Sequence, residues 1–247
     1  MEFSNRTAII TGAASGMGLL SAQKLAAQGA NVVLTDVNRE AVEAAAEAIR
    51  QNGGEALGLQ VDVRDFNQVQ QAAAAALAKY GRIDILINCA GGASTRGFGR
   101  QEEFKDMPVE IIDWGLDVNL KGPVYFARAV IGTMIAQKSG VIVNLGSIEG
   151  QTGSSCIDYG TAKSGVMNGL TKSLALYGAP HGVRICCVSP GPVLTRPAMA
   201  KMRTPLGRAA QPEEIVDLIL YLCSDKAAFI TGTNYLIDGG RSCGAQN

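Results

Sequence analysis

Histidines and paired cysteines are scarce in this chain of 247 residues. His181 is the only histidine, and none of the six cysteines belongs to a CxxC pair. Zinc sites need these ligand types at defined spacings, so we expect no metal site. A lone histidine in a turn also argues against a Ser-His-Asp hydrolase. A chain of this length can build a core without disulfides, so we expect reduced thiols and a cytoplasmic protein.

Net charge and long apolar runs are also missing. The 22 basic residues balance the 22 acidic ones, so the chain has no net charge with which to attract nucleic acid or an anionic membrane. Charged residues interrupt every apolar run well before the ~18 residues of a membrane-spanning helix. The N-terminal residues lack the basic and apolar pattern of a secretory signal. We therefore expect a small-molecule substrate, with no nucleic acid and no membrane as partner.

The chain does have a regular alternation of short β-branched runs and Ala-rich segments of helical period. The runs predict strands over 7–11, 31–35, 56–61, 83–88, 140–145, 183–188 and 234–237. The other segments predict helices over 17–28, 39–51, 66–80, 109–137, 159–178 and 212–224. Continuously apolar strands are typical of a parallel sheet buried on both faces. The sequence thus predicts an α/β fold, a single doubly wound domain over 1–247, whose seven-stranded, mostly parallel sheet has helices on both faces.

The segment TGAASGMG lies between the first predicted strand and the first predicted helix. Glycine permits a tight turn and lets backbone N–H groups approach a pyrophosphate at a helix N-terminus. The position of the cluster makes the pattern specific for a dinucleotide. The predicted cofactor-binding residues in this loop are Gly12, Ser15, Gly16, Met17 and Gly18.

Asp36 ends the second strand, about 20 residues beyond the glycines. A carboxylate there can accept hydrogen bonds from the adenosine ribose and would repel a 2′-phosphate. The nearby Arg39 is interpreted as a first-turn residue of the next helix, so the sequence favours NAD over NADP. Residues after the third and fourth strands are further cofactor candidates: Asp62, Val63, Asn88, Ala90 and Gly91.

With these motifs in order, nearly the whole chain resembles the short-chain dehydrogenase/reductase family. The resemblance rests on the glycine loop, Asp36, Asp62, NCAG at 88–91, DVNLKG, YGTAK and PGPVLT. It implies a Rossmann-type domain, a nicotinamide cofactor, and a homodimer or homotetramer built through helices 109–137 and 159–178. It also implies a catalytic tetrad of Asn119, Ser147, Tyr159 and Lys163, with Tyr159 and Lys163 touching the cofactor too. Contacts to the nicotinamide are implied for Pro190, Gly191, Val193 and Thr195.

The chemistry expected of the tetrad centres on Tyr159. Tyrosine is a poor base at its ordinary pKa of about 10. Lys163 lies one helical turn further on, and a positive charge ~4 Å away at a dielectric of ~20 contributes about 4 kcal/mol, or about three pKa units. Ser147 is expected to hold the substrate oxygen. The family implies that Lys163 also bonds the nicotinamide ribose and that Asn119 holds a water that relays the proton. Two departures from the family pattern are Cys89 in NCAG and Gly146 before Ser147.

Three features of this chain bear on the substrate. The segment after PGPVLT is short, which predicts a substrate side that is open. Arg96, in the long loop 93–108, is a candidate to form part of the pocket wall that this short segment does not supply. Glu149, two residues after Ser147, is a candidate to bind hydroxyls or a cation, or else to form an ion pair with a neighbouring basic residue.

The sequence predicts an NAD-dependent oxidoreductase that interconverts a secondary alcohol and a ketone by hydride transfer, with Tyr159 as general base or acid. A polyol, a sugar derivative or another hydroxylated small molecule is the expected substrate. Two alternatives stay open: a ketoreductase like the 3-oxoacyl-carrier-protein reductases, and a non-catalytic NAD-binding regulator. An intact tetrad disfavours the regulator, and Asp36 with a neutral overall charge disfavours the carrier-protein reductase.

Overall fold

A computed structural model describes residues 1–100 and 102–244. Seven strands form one sheet within these residues: β1 (Thr7–Thr11), β2 (Asn31–Asp36), β3 (Glu55–Gln60), β4 (Ile85–Asn88), β5 (Gly140–Leu145), β6 (Val183–Pro190) and β7 (Asn234–Ile237). Their order in the sheet is β3-β2-β1-β4-β5-β6-β7. Every neighbouring pair is parallel, so the sheet is more regular than the mostly parallel one expected.

Helices cover both faces of this sheet, as predicted. They are α1 (Gly16–Ala27), α2 (Arg39–Gln51), α3 (Phe66–Tyr80), α4 (Ser94–Gly97), α5 (Val109–Leu116), α6 (Gly122–Gln137), α7 (Glu149–Thr152), α8 (Ile157–Ser164), α9 (Thr171–Gly178) and α10 (Pro212–Cys223). Buried side chains of α1, α2 and α10 pack on one face. Those of α3, α6 and α9 pack on the other. The single-domain assignment for 1–247 stays a prediction.

The apolar strands are explained by the two cores. In β1, Ile9 belongs to the core of one face, whereas Ala8 and Ile10 belong to that of the other. Successive side chains of a strand point to opposite faces, so burial on both faces requires an uninterrupted apolar sequence.

The two long predicted helices each contain a π-helical segment. Residues Asp117–Lys121 form one between α5 and α6, and Gly165–Leu170 form the other between α8 and α9. The first holds Asn119, and π-helical turns often occur at functional sites. The predicted loop 93–108 is also partly helical, since it contains α4 and the 3₁₀ turn Phe104–Asp106.

The strand order reverses at β1, which lies between β2 and β4. In open parallel sheets, ligands bind at such a switch point, beyond the carboxyl ends of the strands. Within the described residues, no helix has both the length and the apolar character needed to cross a membrane.

Candidate active site

A cavity of about 1010 Å³ lies beyond the carboxyl ends of the strands. It brings together residues that are far apart in the sequence, from Gly12 in the glycine loop to Met202 after β6 and Arg241 after β7. The predicted site residues that line it are Gly12, Ser15, Gly16, Met17, Gly18, Asp36, Asp62, Val63, Ala90, Gly91, Arg96, Ser147, Glu149, Tyr159, Lys163, Pro190, Gly191, Val193 and Thr195. One continuous site therefore contains nearly all of the predicted residues.

The glycine loop is shaped to admit a ligand. Gly12 has a φ of +62°, and a Cβ there would lie 2.8 Å from the Ala90 Cα, so only glycine lets these two loops meet. Gly16 has a φ of +56°, and a Cβ there would meet only the Thr195 side chain, at 4.0 Å. The space above Gly16 is open to the cavity, at the N-terminus of α1. This cradle fits a pyrophosphate.

Asp36 is held at the edge of that cradle. Its two carboxylate oxygens accept backbone N–H bonds from Ala14 at 3.1 Å and from Asn38 at 3.0 Å. Arg39 forms an ion pair with Glu43 at 2.8 Å, which agrees with its interpretation as a helix residue. Each carboxylate oxygen of Asp36 keeps acceptor capacity for a ribose hydroxyl.

Two predicted site residues, Asn88 and Asn119, lie outside the cavity wall. Asn88 is 2 % exposed, and its amide nitrogen donates to Asn144 Oδ1 at 2.9 Å below the cavity. Asn119 is fully buried, and its side chain bonds the backbone of Gly92 and the carbonyl oxygen of Gly115. Asn119 thus fixes the loop after β4 against the π-helical segment, and its role in a water relay stays a prediction.

Ser147, Tyr159 and Lys163 meet at the floor of the cavity. Lys163 is 3 % exposed, and its Nζ donates to the Leu145 carbonyl oxygen at 2.7 Å. Its Nζ lies 5.7 Å from the centroid of the Tyr159 ring. The Ser147 hydroxyl is within hydrogen-bonding reach of the Tyr159 phenol. The N–H of Glu149 also donates to Ser147 Oγ, at 3.2 Å, which orients this hydroxyl.

The structure does not show the expected lowering of the Tyr159 pKa. Burial raises the pKa of Tyr159 above its ordinary value, while the Ser147 hydrogen bond and the Arg96 charge oppose that rise. Burial also lowers the pKa of Lys163 to about 8, and the nearby Cys187 and Cys89 thiols act against that shift. The expected lowering followed from the attraction between phenolate and ammonium. Both groups are also removed from water, which disfavours their charged forms.

The structure explains why the chain departs from the family pattern at Gly146. A Cβ there would meet the Ser189 hydroxyl, the Met167 side chain, and the Cys187 sulfur at 2.9 Å. The space that a side chain at 146 would need is occupied from β6. At the other departure, burial raises the pKa of the Cys89 thiol to about 12, so this thiol stays protonated and unreactive.

The substrate end of the cavity is built by residues that sequence reasoning only partly found. The short segment after β6 contributes Arg196, Met199 and Met202, and α5 contributes Trp114. Arg196 directly follows Thr195, a predicted site residue, and this adjacency is the signal by which Arg196 could have been found from the sequence. The carboxylate of Glu149 accepts a hydrogen bond from the Ser154 hydroxyl. No basic side chain of the described residues forms an ion pair with Glu149, so the expectation of such a pair is wrong.

Comparison with known proteins now identifies the family. A family model described as Enoyl-(Acyl carrier protein) reductase matches residues 12–242. The crystal structure of a short-chain type dehydrogenase/reductase from Mycobacterium marinum superposes with a TM-score of 0.89 at 33 % identity, over 98 % of each chain. The chain belongs to the short-chain dehydrogenase/reductase family. The sequence resemblance and the predicted fold class are thereby confirmed.

Two relatives show the kind of chemistry done by similar short-chain dehydrogenases. The trans-4-hydroxycyclohexanecarboxylate dehydrogenase of Sinomonas cyclohexanicum is 38 % identical over 97 % of this chain and 93 % of its own length. The cyclohexanol dehydrogenase of an Acinetobacter species is 35 % identical over 96 % of this chain and 95 % of its own. The chain is accordingly an oxidoreductase of the class that acts on hydroxyl groups with a nicotinamide cofactor.

Proposed function

We propose that this protein is an NAD-dependent dehydrogenase that oxidises a secondary alcohol to a ketone and catalyses the reverse reaction. The observation that carries the proposal is a single cavity with a dinucleotide cradle at one end and Ser147, Tyr159 and Lys163 at the other. A hydroxyl placed at this catalytic end lies against both the cofactor position and the proton acceptor.

The cofactor end supports NAD as the dinucleotide. The glycine loop and the N-terminus of α1 would hold the pyrophosphate, and Asp36 would accept hydrogen bonds from the ribose. When bound, the nicotinamide supplies the hydride acceptor. Arg39, three residues after Asp36, pairs with Glu43, and Arg64, which lines the cavity, pairs with Asp62. Neither is left to neutralise a 2′-phosphate.

The catalytic end supplies the proton chemistry. The Ser147 hydroxyl would hold the substrate oxygen, and Tyr159 Oη would accept the hydroxyl proton. Lys163, held by the Leu145 carbonyl oxygen, places its positive charge behind the Tyr159 ring. That charge favours the phenolate once the substrate hydroxyl arrives. For ketone reduction, the same phenol donates the proton.

We include alicyclic alcohols among the proposed substrates, next to the polyols and sugar derivatives that the sequence suggests. The relatives named for cyclohexanol and for a hydroxycyclohexanecarboxylate support ring hydroxyls. The apolar side chains of Trp114, Met199 and Met202 in the cavity wall fit a ring better than a fully hydroxylated chain.

Replacement of the predicted base tests the proposal. We expect Tyr159→Phe to lose at least about a thousandfold in kcat for NAD⁺ reduction with the best alcohol of a panel, because the proton acceptor is gone. NAD⁺ affinity, measured by fluorescence titration, should change less than threefold. Tyr221→Phe, at an exposed tyrosine of α10 outside the predicted interface helices, is the matched control and should behave as wild type. Retained turnover in Tyr159→Phe would refute Tyr159 as the base.

The 3-oxoacyl-carrier-protein reductase is kept as a second candidate because the description of the matching family model names a reductase of another acyl-carrier-protein substrate, the enoyl form. A 3-oxoacyl thioester supplied with NADPH and with NADH separates the two activities. Thioester reduction that exceeds alcohol oxidation and prefers NADPH would select the second candidate. NAD⁺ binding without turnover of any compound in the panel would select the non-catalytic regulator.

We propose in addition that the protein is a homodimer or homotetramer and that it is cytoplasmic. Large apolar side chains on the predicted interface helices are exposed, among them Val124 of α6 and Leu176 of α9. All six cysteines are free, which is typical of a reducing compartment.

A further inference from the structure

Two arginines from separate segments reach the catalytic end of the cavity. Arg96 comes from the short helix α4, and Arg196 comes from the segment after β6. Both line the cavity that contains Ser147 and Tyr159, and the charge of each acts on the Tyr159 phenol or is acted on by it. The Arg196 side chain is close enough to Arg96, Tyr159 and Glu149 for all three to influence it.

Neither guanidinium has an acidic partner. Among residues 1–100 and 102–244, no carboxylate lies within the 4.0 Å of an ion pair from either arginine. The Arg196 guanidinium instead donates a hydrogen bond to the Met199 sulfur, at 3.7 Å. By contrast, Arg64 at the cofactor end of the cavity binds Asp62 at 2.6 Å.

The end of the cavity at which the substrate hydroxyl would react therefore carries more positive than negative charge. Glu149 is the acidic residue of this end, and its carboxylate already accepts the Ser154 hydroxyl. One carboxylate faces two guanidinium groups. Burial, followed by repulsion from Arg96, lowers the pKa of Arg196, while Tyr159 and Glu149 oppose that shift. A bound anion would relieve the repulsion.

Arg96 is presented from an anchored element. Ser94, in the same turn, is fully buried, and its hydroxyl lies 3.4 Å from the Cys156 sulfur. That thiol in turn donates to Asp158 Oδ1 at 3.2 Å, next to Tyr159 in α8. Phe98 packs edge-on against Trp114, with ring centroids 5.2 Å apart. These contacts fix α4 relative to the catalytic tyrosine.

We propose that Arg96 and Arg196 form an anion subsite that binds the carboxylate of a hydroxy-acid substrate. A guanidinium offers two parallel N–H donors that match a carboxylate, so the pair would hold one end of the substrate in a fixed orientation. The hydroxyl at the other end would then be directed to Ser147 and Tyr159. This inference rests on the proposed dehydrogenase function and narrows its substrate to a hydroxy carboxylic acid.

The test measures binding without turnover. Cyclohexanecarboxylate, which lacks a reacting hydroxyl, and its neutral amide are titrated calorimetrically into the NAD⁺-loaded protein. We expect the carboxylate to bind wild type at least tenfold more tightly than the amide. Arg96→Gln and Arg196→Gln should each weaken carboxylate binding about tenfold and leave amide binding unchanged. Glu149→Gln should tighten carboxylate binding severalfold because it removes the opposing charge.

Controls separate this subsite from general effects. Arg128→Gln, at an exposed arginine of α6 outside the cavity, removes the same charge and should change nothing. Arg96→Lys and Arg196→Lys keep the charge but not the paired donors, and should show a smaller loss. Thermal melting and NAD⁺ affinity report whether each variant is folded.

Three outcomes would overturn the inference. They are equal binding of carboxylate and amide, an Arg128→Gln effect as large as that of the two variants, and a loss of NAD⁺ affinity in place of carboxylate affinity. The last result would assign the arginines to a cofactor phosphate. Failure of the proposed function gives a different result, which is that no alcohol reduces NAD⁺ while the carboxylate preference is still present.

Discussion

Lys163, which we propose acts in catalysis, also has a cost in stability because its charge is buried. Its ammonium group is buried, and its folded pKa is about 8, compared with ~10.4 for a solvated lysine. Below pH 8 the group is charged in both states, and the folded state bears the loss of hydration. As the pH rises from about 8 to about 10.5, the unfolded state binds more protons than the folded state, so this group makes the protein progressively more stable.

We therefore expect Lys163→Met to be inactive but more stable than wild type at pH 7. The shift corresponds to about 3 kcal/mol, from which about 1 kcal/mol is subtracted for the lost hydrogen bond to Leu145. The advantage should vanish by about pH 10. Urea unfolding at both pH values measures it, with Lys172→Met at an exposed lysine as control. Parallel pH dependences for wild type and Lys163→Met would contradict the assignment.

Asp36 is the residue on which cofactor choice is predicted to depend. We expect Asp36→Asn to raise the KM for NAD⁺ about tenfold and to lower that for NADP⁺, because the change removes both the charged acceptor and the repulsion of a 2′-phosphate. Initial rates with each cofactor at saturating alcohol give the two constants. Asp106→Asn, in an exposed 3₁₀ turn, should leave the ratio unchanged. A wild-type preference for NADP⁺ would refute the argument from Asp36.

At the scale of the elements, the contact between β5 and β6 explains why glycine occupies position 146, next to Ser147. Gly146 leaves room for the Ser189 hydroxyl, which donates to Asn234 Oδ1 at 2.6 Å. The backbone of Gly146 also bonds the Val188 carbonyl oxygen, at 2.8 Å. A side chain at 146 would push the strand end away from β6, and Ser147 would move with it.

We accordingly expect Gly146→Ser to lower the melting temperature by several degrees and to reduce kcat, because overpacking costs about 1–3 kcal/mol. The double variant with Ser189→Ala should recover part of both losses, since the nearest clash is removed. Calorimetry and kcat are the measurements. Ser189→Ala alone controls for the lost hydrogen bond. Equal losses in the single Gly146→Ser and double variants would show that the clash lies elsewhere.

The packing of the elements explains why some of them could be predicted from the sequence and others could not. β1 and β5 begin and end where the apolar pattern places them, because burial on both faces leaves little choice of residue. The π-helical segment that holds Asn119 has the same residue types as a regular helix, and only packing against Gly92 reveals it. Arg196 was missed because a charged residue in a short loop carries no periodic signal.

The sequence correctly brought Ser147, Tyr159 and Lys163 to one cavity, because Ser147 follows β5 and the other two lie one helical turn apart in α8. The direction of the Tyr159 pKa shift was not predictable, since it is set first by burial of the phenol and then by Ser147, Glu149 and Arg96, which come from other segments. Motif spacing defines which groups meet but not how much water remains between them.

At the scale of the whole molecule, the exposed apolar side chains indicate where copies of the chain would associate. Leu176 is 80 % exposed on α9, which belongs to one of the two predicted interface helices. We expect Leu176→Glu to lower the oligomeric state, because two charges would be buried against apolar surface. Sedimentation equilibrium measures it. Leu206→Glu, at another exposed leucine outside those helices, should leave the mass unchanged. A monomeric wild type would refute the proposed assembly.

The parallel sheet has a further consequence for how the protein acquires activity. Its cofactor cradle follows β1, its proposed base follows β5, and the segment after β6 completes the wall. Among the described residues, no single segment contains both the cofactor cradle and the residues proposed for proton transfer. The protein can therefore become active only after distant strands have paired. Recovery of turnover during refolding would report completion of the whole sheet, not the formation of any one part.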